Sequence, residues 1–280
     1  MRRPAAAPRP ASRLAATFAG LRARGERALV AYFTAGDPSL AMTRRLVGEA
    51  ARRGADVIEL GIPFSDPLAD GPVVQRATQR ALAAGSTLPR VLEMVRDVRG
   101  ELSVPIVFLT YYNPILAFGL KAFCRTAAEA GVAGVLVADL PPEEAGPLHA
   151  EADPLGFDLM HFVAPTTPPA RMRKIAQATR GFIYLVSLTG VTGVRAALPP
   201  DLVALLRTLR GVTTKPVCVG FGIATPEQAE MVGRVADGVI VGSAIVRLVE
   251  RHAGSAELVP EVGRFIASLK APLRARGGER

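Results

Sequence analysis

The sequence contains no long hydrophobic run. Apolar segments such as residues 102–109 and 182–188 are far shorter than the roughly 20 residues that span a bilayer. The N-terminal stretch MRRPAAAPRPASR has no continuous apolar core of about 7 to 15 residues, so it does not resemble a secretory signal. We therefore expect no membrane span and a cytoplasmic protein.

Cysteine and histidine are scarce. The two cysteines, Cys124 and Cys218, make no disulfide framework and lack the spacing of metal ligands. The three histidines, His149, His161 and His252, are scattered without an Hx3H or ExxH spacing, so no metal site is predicted. No GxSxG motif or Ser/His/Asp constellation is present. The predicted strands also lack a lysine for a Schiff base, which argues against a class I aldolase mechanism.

Net positive charge is nearly absent from the body of the chain, although the formal net charge of the whole is +9. Residues 1–27 carry +6 and residues 271–280 carry +2, which leaves +1 for everything between them. A nucleic-acid groove would require lysine and arginine on one face of the folded body, so no nucleic-acid partner is predicted. Residues 1–12 are predicted to be a disordered basic tail, and residues 271–280 a basic C-terminal tail.

From residue 28 onward, short β-branched runs alternate with segments of helical periodicity. The predicted strands are 28–34, 56–62, 105–111, 134–140, 158–164, 182–188, 216–222 and 238–242. The predicted helices are 39–53, 73–100 in two pieces, 118–130, 143–152, 169–179, 201–209, 226–235 and 244–269.

Eight strand-then-helix units predict an α/β protein with a (β/α)8 TIM barrel. The barrel occupies residues 13–270 as a single catalytic domain, with an extra N-terminal helix over residues 13–24 that caps its bottom. The alternative is an open doubly wound sheet, which would normally carry a glycine-rich phosphate turn after its first strand. The segment TAGDPS at 34–39 is not such a turn.

A carboxyl group interrupts the second predicted strand. Neighbouring strand residues point to opposite faces, so Ile58 and Leu60 face the helices while Val57, Glu59 and Gly61 face the barrel lumen. Burial of an unpaired carboxyl group raises its pKa and suits it to proton transfer. The alternative is a structural ion pair, but the predicted strands contain no lysine or arginine to form one.

Two further carboxyl groups follow in the loop PFSDPLADGP. Asp66 precedes a proline, and aspartate before proline is common in turns. Asp70 lies just before the next helix, where it either caps that helix or leans over the mouth toward Glu59. Two carboxyl groups in different surroundings can divide the roles of acid and base.

Glycine loops follow the last three predicted strands. Phosphate sites in these barrels lie at the loops after strands seven and eight, where backbone N–H groups converge at a helix N-terminus. GFGI, with Gly222, and GSAIV, with Gly242 and Ser243, occupy those positions. The loop SLTGVTGV at 187–194 has the glycines of a lid that closes over a substrate.

Seven segments together resemble the tryptophan synthase alpha chain family. The likeness spans about residues 13–270, in order and with compatible spacing. The segments are ELGIPFSDPLADGP at 59–72, FTAGDP at 33–38, TYYNPI at 110–115, VADLP at 137–141, YLVSLTGVTG at 184–193, GFGI at 220–223 and GSAIV at 242–246.

The resemblance implies retro-aldol cleavage of indole-3-glycerol phosphate to indole and glyceraldehyde 3-phosphate, without metal or organic cofactor in this chain. It makes Glu59 the catalytic acid/base, Asp70 the second catalytic carboxyl group and Tyr184 an active-site tyrosine beside Glu59. The implied substrate-binding residues are Tyr32, Leu109, Tyr111, Leu136, Thr192, Gly193, Phe221, Gly222, Gly242 and Ser243.

The resemblance also implies a partner. The family works with a beta chain that carries pyridoxal phosphate and receives indole through a tunnel, in an α2β2 heterotetramer. The segments that match its contact surface contain Asp66, Tyr112, Asn113 and Pro114.

Two positions depart from the family pattern. Tyr32 stands where some members have phenylalanine, and its hydroxyl needs a partner in an apolar pocket. Leu188 replaces a loop arginine that other members have, so loop closure is expected to differ.

Two alternatives stay open. Another phosphate-binding barrel lyase or isomerase would share the phosphate loops but would not need both Glu59 and Asp70. A regulatory or binding subunit without chemistry would need neither carboxyl group.

Overall fold

The computed structural model describes residues 12–186, 198–220 and 222–274, and its strands are all parallel. The strands are β1 (Ala28–Thr34), β2 (Val57–Gly61), β3 (Ile106–Thr110), β4 (Val132–Val137), β5 (Asp158–Met160), β6 (Phe162–Val163), β7 (Ile183–Val186), β8 (Val217–Gly220) and β9 (Gly238–Val241). Each pairs with its spatial neighbours in the order β5-β4-β3-β2-β1-β9-β8-β7-β6.

Helices connect the strands. They are α1 (Arg13–Ala23), α2 (Leu40–Arg53), α3 (Pro72–Ala83), α4 (Leu88–Val98), α5 (Tyr112–Phe118), α6 (Leu120–Ala130), α7 (Gly146–Ala152), α8 (Pro169–Ala178), α9 (Pro200–Arg210), α10 (Pro226–Gly233), α11 (Ser243–His252) and α12 (Leu258–Lys270). Short 3-10 helices cover Asp153–Leu155 and Ala271–Leu273.

One segment, residues 158–163, closes the barrel. Its first half, β5, pairs with β4, and its second half, β6, pairs with β7. The predicted fifth strand is therefore two short strands separated at His161, because each half serves a different neighbour. Eight strand positions close into the predicted TIM barrel, and this closure excludes the open doubly wound sheet.

Inward and outward side chains separate as strand alternation predicts. Ile58 and Leu60 of β2 pack into the large apolar layer between the barrel and its helices. Val57 packs into a smaller cluster inside the barrel, with Val30 of β1 and Val107 of β3. Glu59 therefore faces the lumen, as predicted.

The N-terminal helix α1 closes the bottom of the barrel. Ser12 caps it, since its hydroxyl accepts a hydrogen bond of 3.0 Å from the Ala15 N–H and also contacts Asp158. Leu14, Phe18 and Leu21 are buried in the inner cluster. The predicted helix over residues 13–24 is confirmed.

Several elements differ from the predictions. The predicted helix 244–269 is two helices, α11 and α12, because the backbone between them turns at Gly254 with φ of +80°. Helix α5 was not predicted. The packed chain also extends past residue 270, since Leu273 is buried.

No helix within the described ranges is long and apolar enough to cross a bilayer.

Candidate active site

Glu59 lies on the lumen side of β2, beside Tyr32 of β1 in the strand register. Its side chain is fully buried, and neither carboxyl oxygen has a hydrogen-bond partner among the described residues. Burial, and secondarily the negative charge of Asp70, raises the pKa of Glu59 to about 8. The group is therefore an uncharged acid at neutral pH.

Asp70 is half-buried and does not cap a helix. The N-cap of α3 is Gly71, and no side chain caps α3. Of the two alternatives for Asp70, the helix cap is therefore excluded. The Asp70 carbonyl oxygen accepts a hydrogen bond of 2.9 Å from the Gln75 amide, which fixes the backbone where the loop meets the helix. Burial raises the pKa of Asp70 to about 6, and a hydrogen bond from Tyr111 opposes this rise.

Tyr111 connects the loop to β3. Its hydroxyl oxygen accepts a hydrogen bond of 2.9 Å from the Ala69 N–H, one residue before Asp70. Its ring lies 5.5 Å from the ring of Phe64, centroid to centroid. The family resemblance implies that Tyr111 lies near the indole pocket. The structure adds that Tyr111 anchors the loop carrying Asp70.

Two inward tyrosines, Tyr32 of β1 and Tyr184 of β7, lie close enough to Glu59 to interact with it electrostatically. Tyr184 of β7 occupies the space beside Gly220, since a Cβ at Gly220 would lie 2.9 Å from the Tyr184 hydroxyl oxygen. The centroid of the Tyr184 ring lies 4.9 Å from that of the Phe162 ring. Burial, followed by the charge of Glu59, raises the pKa of Tyr184 well above its ordinary value. The Tyr32 hydroxyl lies 3.2 Å from the Thr34 hydroxyl, which supplies the partner that this side chain needs.

The other predicted pocket residues divide into two groups. Leu109 packs against Tyr32 at the mouth and against the inner cluster below it. Leu136 is fully buried within that inner cluster. Thr192, Gly193 and Phe221 lie outside the described residues, as does Leu188.

Two of the residues predicted to bind phosphate lie at the start of α11. Ser243 is the first residue of α11, and Gly242 is its N-cap. A helix N-terminus presents unpaired N–H groups and a partial positive charge to an anion. Gly222 has φ of +64°, a conformation that favours glycine. A Cβ at Gly242 would lie 3.5 Å from the Tyr32 ring, so this helix start adjoins the aromatic wall.

Two of the four predicted partner residues line an apolar groove. Asn113 and Pro114, in the first turn of α5, line a cavity of about 540 Å³ together with Phe64 and Ser65. Ser65 donates a hydrogen bond of 2.5 Å to Asp66, which is exposed. Tyr112 opens α5, and its N–H donates to the Asp139 carboxylate at 2.7 Å.

Sequence reasoning missed two local arrangements. Thr34 and Gly61 are register partners that accommodate the Tyr32 side chain, and only the pairing of β1 with β2 reveals this. His149 and His161 were interpreted as scattered, yet their Nε2 atoms lie 3.4 Å apart on the outer side of the barrel. Within the part of the chain that the structure describes, no three potential ligands cluster into a metal site.

The fold and the site together define a barrel lyase or isomerase with acid–base chemistry. An uncharged acid and a more acidic carboxyl group lie at one strand end, near a helix N-terminus suited to a phosphate.

Comparisons with known proteins identify the family. A family model described as "Tryptophan synthase alpha chain" matches residues 18–270. Proteins of that name from Citrifermentans bemidjiense and Geobacter sulfurreducens are each 52% identical over 259 residues, which is 92% of this chain and 97% or 98% of theirs. The chain belongs to the tryptophan synthase alpha chain family.

Solved structures agree with this assignment. Tryptophan synthase subunit alpha from Legionella pneumophila superposes with a TM-score of 0.87 at 38% identity, covering 94% of this chain and 99% of that one. A chain of tryptophan synthase from M. tuberculosis gives 0.86 at 33% identity, covering 95% and 100%. The family consists of lyases that cleave indole-3-glycerol phosphate, so this chain is an enzyme of tryptophan biosynthesis.

Proposed function

We propose that Glu59 and Asp70 together carry the cleavage of indole-3-glycerol phosphate into indole and glyceraldehyde 3-phosphate. The observation that supports this assignment is the dry, uncharged Glu59, which has no hydrogen-bond partner among the described residues and faces the lumen. A protonated carboxyl group at neutral pH can donate a proton, which an ordinary surface glutamate cannot do efficiently.

The reaction begins at the indole ring. Glu59 transfers its proton to C3 of the indole, and the ring becomes a cation that can accept an electron pair. Asp70, the more acidic carboxyl group of the two, accepts the hydrogen bond of the indole N–H. That hydrogen bond strengthens as positive charge develops, so it stabilises the transition state more than the ground state.

The second half of the reaction returns the proton to Glu59. The Glu59 carboxylate removes the proton from the hydroxyl group on the side-chain carbon next to C3. The bond between that carbon and C3 breaks, its electron pair restores the aromatic ring, and the oxygen becomes the aldehyde of glyceraldehyde 3-phosphate. Glu59 ends the cycle protonated, so the reaction needs no proton donor or acceptor besides the two carboxyl groups.

The substrate is held at both ends. Among the described residues, Tyr184, Tyr32 and Leu109 form the wall of the pocket for the indole ring. Gly222, Gly242 and Ser243 bind the phosphate through backbone N–H groups and a hydroxyl group. Leu136, Tyr111, Thr192, Gly193 and Phe221 complete the proposed site.

Substitution of each carboxyl group tests this function. Indole release from indole-3-glycerol phosphate is measured for the parent, Glu59→Gln and Asp70→Asn, with Glu101→Gln, at an exposed ion pair with Arg44, as control. Loss of an acid–base group should lower kcat about 100- to 10,000-fold for Glu59→Gln. A parent-like rate for Glu59→Gln would favour the alternative of a regulatory subunit without chemistry.

We also propose that the chain assembles with a tryptophan synthase beta chain as an α2β2 heterotetramer in the cytoplasm. The chain itself would need no cofactor, and pyridoxal phosphate would belong to the beta chain. Asp66, Tyr112, Asn113 and Pro114 would form part of the contact. An isolated chain with full activity, unchanged on addition of beta chain, would contradict this partnership.

A further inference from the structure

The Tyr32 side chain extends from β1 across the inner face of β2. Tyr32 and Glu59 are register partners, and so are Thr34 and Gly61, one inward position closer to the mouth. A Cβ at Gly61 would collide with the Tyr32 hydroxyl and would lie 2.7 Å from its Cζ. The hydroxyl group therefore occupies the space above Gly61, on the mouth side of Glu59.

Three contacts hold this side chain in place. Its hydroxyl lies 3.2 Å from that of Thr34, and both groups are buried. Its ring packs against Val246 of α11 and Ala77 of α3. Tyr32 thus contacts the strand of Glu59, the helix that follows Asp70 and the helix of the phosphate site.

Among the described residues, the titratable groups that interact with Glu59 are all neutral or acidic. Tyr32 faces it from β1, Tyr184 from β7, Cys218 from β8 and Asp70 from the loop after β2. None of them is a cation that could stabilise a carboxylate. The protonation of Glu59 therefore depends on how completely water is kept away from it.

From these contacts we infer that Tyr32 is a positioning residue for Glu59: anchored on Thr34 and seated over Gly61, its side chain excludes water from the mouth side of the carboxyl group. The inference rests on the proposed function and adds a second part to the same site.

Removal of either hydroxyl group alone should admit a polar partner for Glu59. Tyr32→Phe leaves a hydroxyl-sized space over Gly61, with the Thr34 hydroxyl and Glu59 as polar neighbours, and a space with polar neighbours takes up water. Thr34→Val leaves the Tyr32 hydroxyl without its partner, and the carboxyl group of its register partner Glu59 is then an acceptor toward which it can turn. Either change provides a hydrogen bond to the carboxylate and favours ionisation.

Removal of both hydroxyl groups should reverse the effect. In Tyr32→Phe/Thr34→Val both hydroxyl groups are gone, and Glu59 is the polar side chain that remains beside the space, which is too few partners to hold a water. The double variant should therefore keep Glu59 protonated to the same pH as the parent. A role in stability alone predicts no such reversal.

The experiment is the pH dependence of kcat/KM for indole-3-glycerol phosphate cleavage, from pH 5 to 10. In each single variant the alkaline limb should move down by about one pH unit, which is about a tenfold loss at high pH. In the double variant it should return to the parent position. Thr208→Val, which removes an exposed hydroxyl on α9, is the matched control and should leave the profile unchanged.

A second measurement reads Glu59 without substrate. NMR of protein with 13C-labelled glutamate carboxyl groups gives the titration of Glu59, identified by the signal missing from Glu59→Gln. Unmoved titration in both single variants, or a double variant that moves by the sum of the two, would overturn the inference. Because this readout needs no turnover, it stays decisive even if Glu59→Gln proves active and the proposed function fails.

Discussion

Glu59 combines two properties that a single side chain seldom has: full burial and no hydrogen-bond partner among the described residues. Such a group is stabilised in its neutral form, and its pKa rises to about 8. The pKa of Asp70, which is half-buried near the mouth, rises only to about 6. Between these two values the site holds one acid and one carboxylate, the arrangement that the proposed reaction requires.

A bell-shaped pH profile follows from this pair. As pH rises through about 8 Glu59 loses its proton, and as pH falls through about 6 Asp70 gains one. Since the two groups interact, these values belong to the pair. We expect kcat/KM for cleavage to be greatest near pH 7 and to fall on both sides. A rate that rises through pH 4 to 5 and stays level to pH 10 would rule out an uncharged Glu59.

The same burial should weaken the folded state at alkaline pH. In the unfolded chain Glu59 loses its proton near pH 4.5, whereas in the folded chain it keeps it up to about 8. The unfolded state therefore binds fewer protons between these values, and the free energy of unfolding decreases as pH rises.

Glu59→Gln should remove that pH dependence. The decrease amounts to roughly 4 kcal/mol at pH 9 as an upper estimate. Urea unfolding of the parent and of Glu59→Gln at pH 5 and pH 9 measures it, with Glu101→Gln as an exposed control. Equal pH dependence in the parent and Glu59→Gln would mean that Glu59 has an ordinary pKa in the folded protein.

At the scale of elements, α11 connects the proposed phosphate site to the aromatic wall. Its first residue is Ser243, and Val246 in its first turn packs on Tyr32. Ser243→Ala should raise KM for the phosphorylated substrate several-fold with little change in kcat, because one neutral hydrogen bond contributes about 1 kcal/mol. Ser255→Ala, in the turn after α11, is the control. An unchanged KM would place the phosphate elsewhere.

The order of the elements could be predicted from the sequence, but two of their details could not. Apolar spacing separates strands of period two from helices of period 3.6, so the eight-fold alternation is visible locally. The division of residues 158–163 at His161 arises because each half pairs with a different strand, which is a long-range property. The interruption before α12 depends on the φ of Gly254, and glycine alone does not reveal its φ.

The candidate site could be predicted from the sequence to the extent that single residues contradict their local pattern. Glu59 stands out as a charge in an apolar strand, and Asp70 as a carboxyl group beside it at the barrel mouth. Thr34 and Gly61 have no such signal, because their role depends on the register between two strands. The contact of His149 with His161 likewise requires α7 to pack on the barrel.

At the scale of the whole molecule, the N-terminal helix and the proposed chemistry lie at opposite ends of the barrel. Helix α1 fills the bottom, where Leu14 is fully buried. Leu14→Ala should lower the free energy of unfolding by about 2 to 5 kcal/mol through the cavity it leaves. Leu116→Ala, at a half-exposed position, should change it much less.

The rate of cleavage by folded Leu14→Ala at 25 °C should equal that of the parent. Urea unfolding and indole release on the same samples separate the two effects. A large loss of kcat in a variant that remains folded would show that the bottom of the barrel controls the site at its mouth.

The central claim is that Glu59 is a protonated carboxyl group at neutral pH, and infrared spectroscopy observes that proton directly. The difference spectrum between the parent and Glu59→Gln isolates the C=O stretching band of one protonated carboxyl group. The account predicts that this band is present at pH 7 and disappears with a midpoint near pH 8. A band already absent at pH 7, with a midpoint near the ordinary value of 4.5, would contradict it.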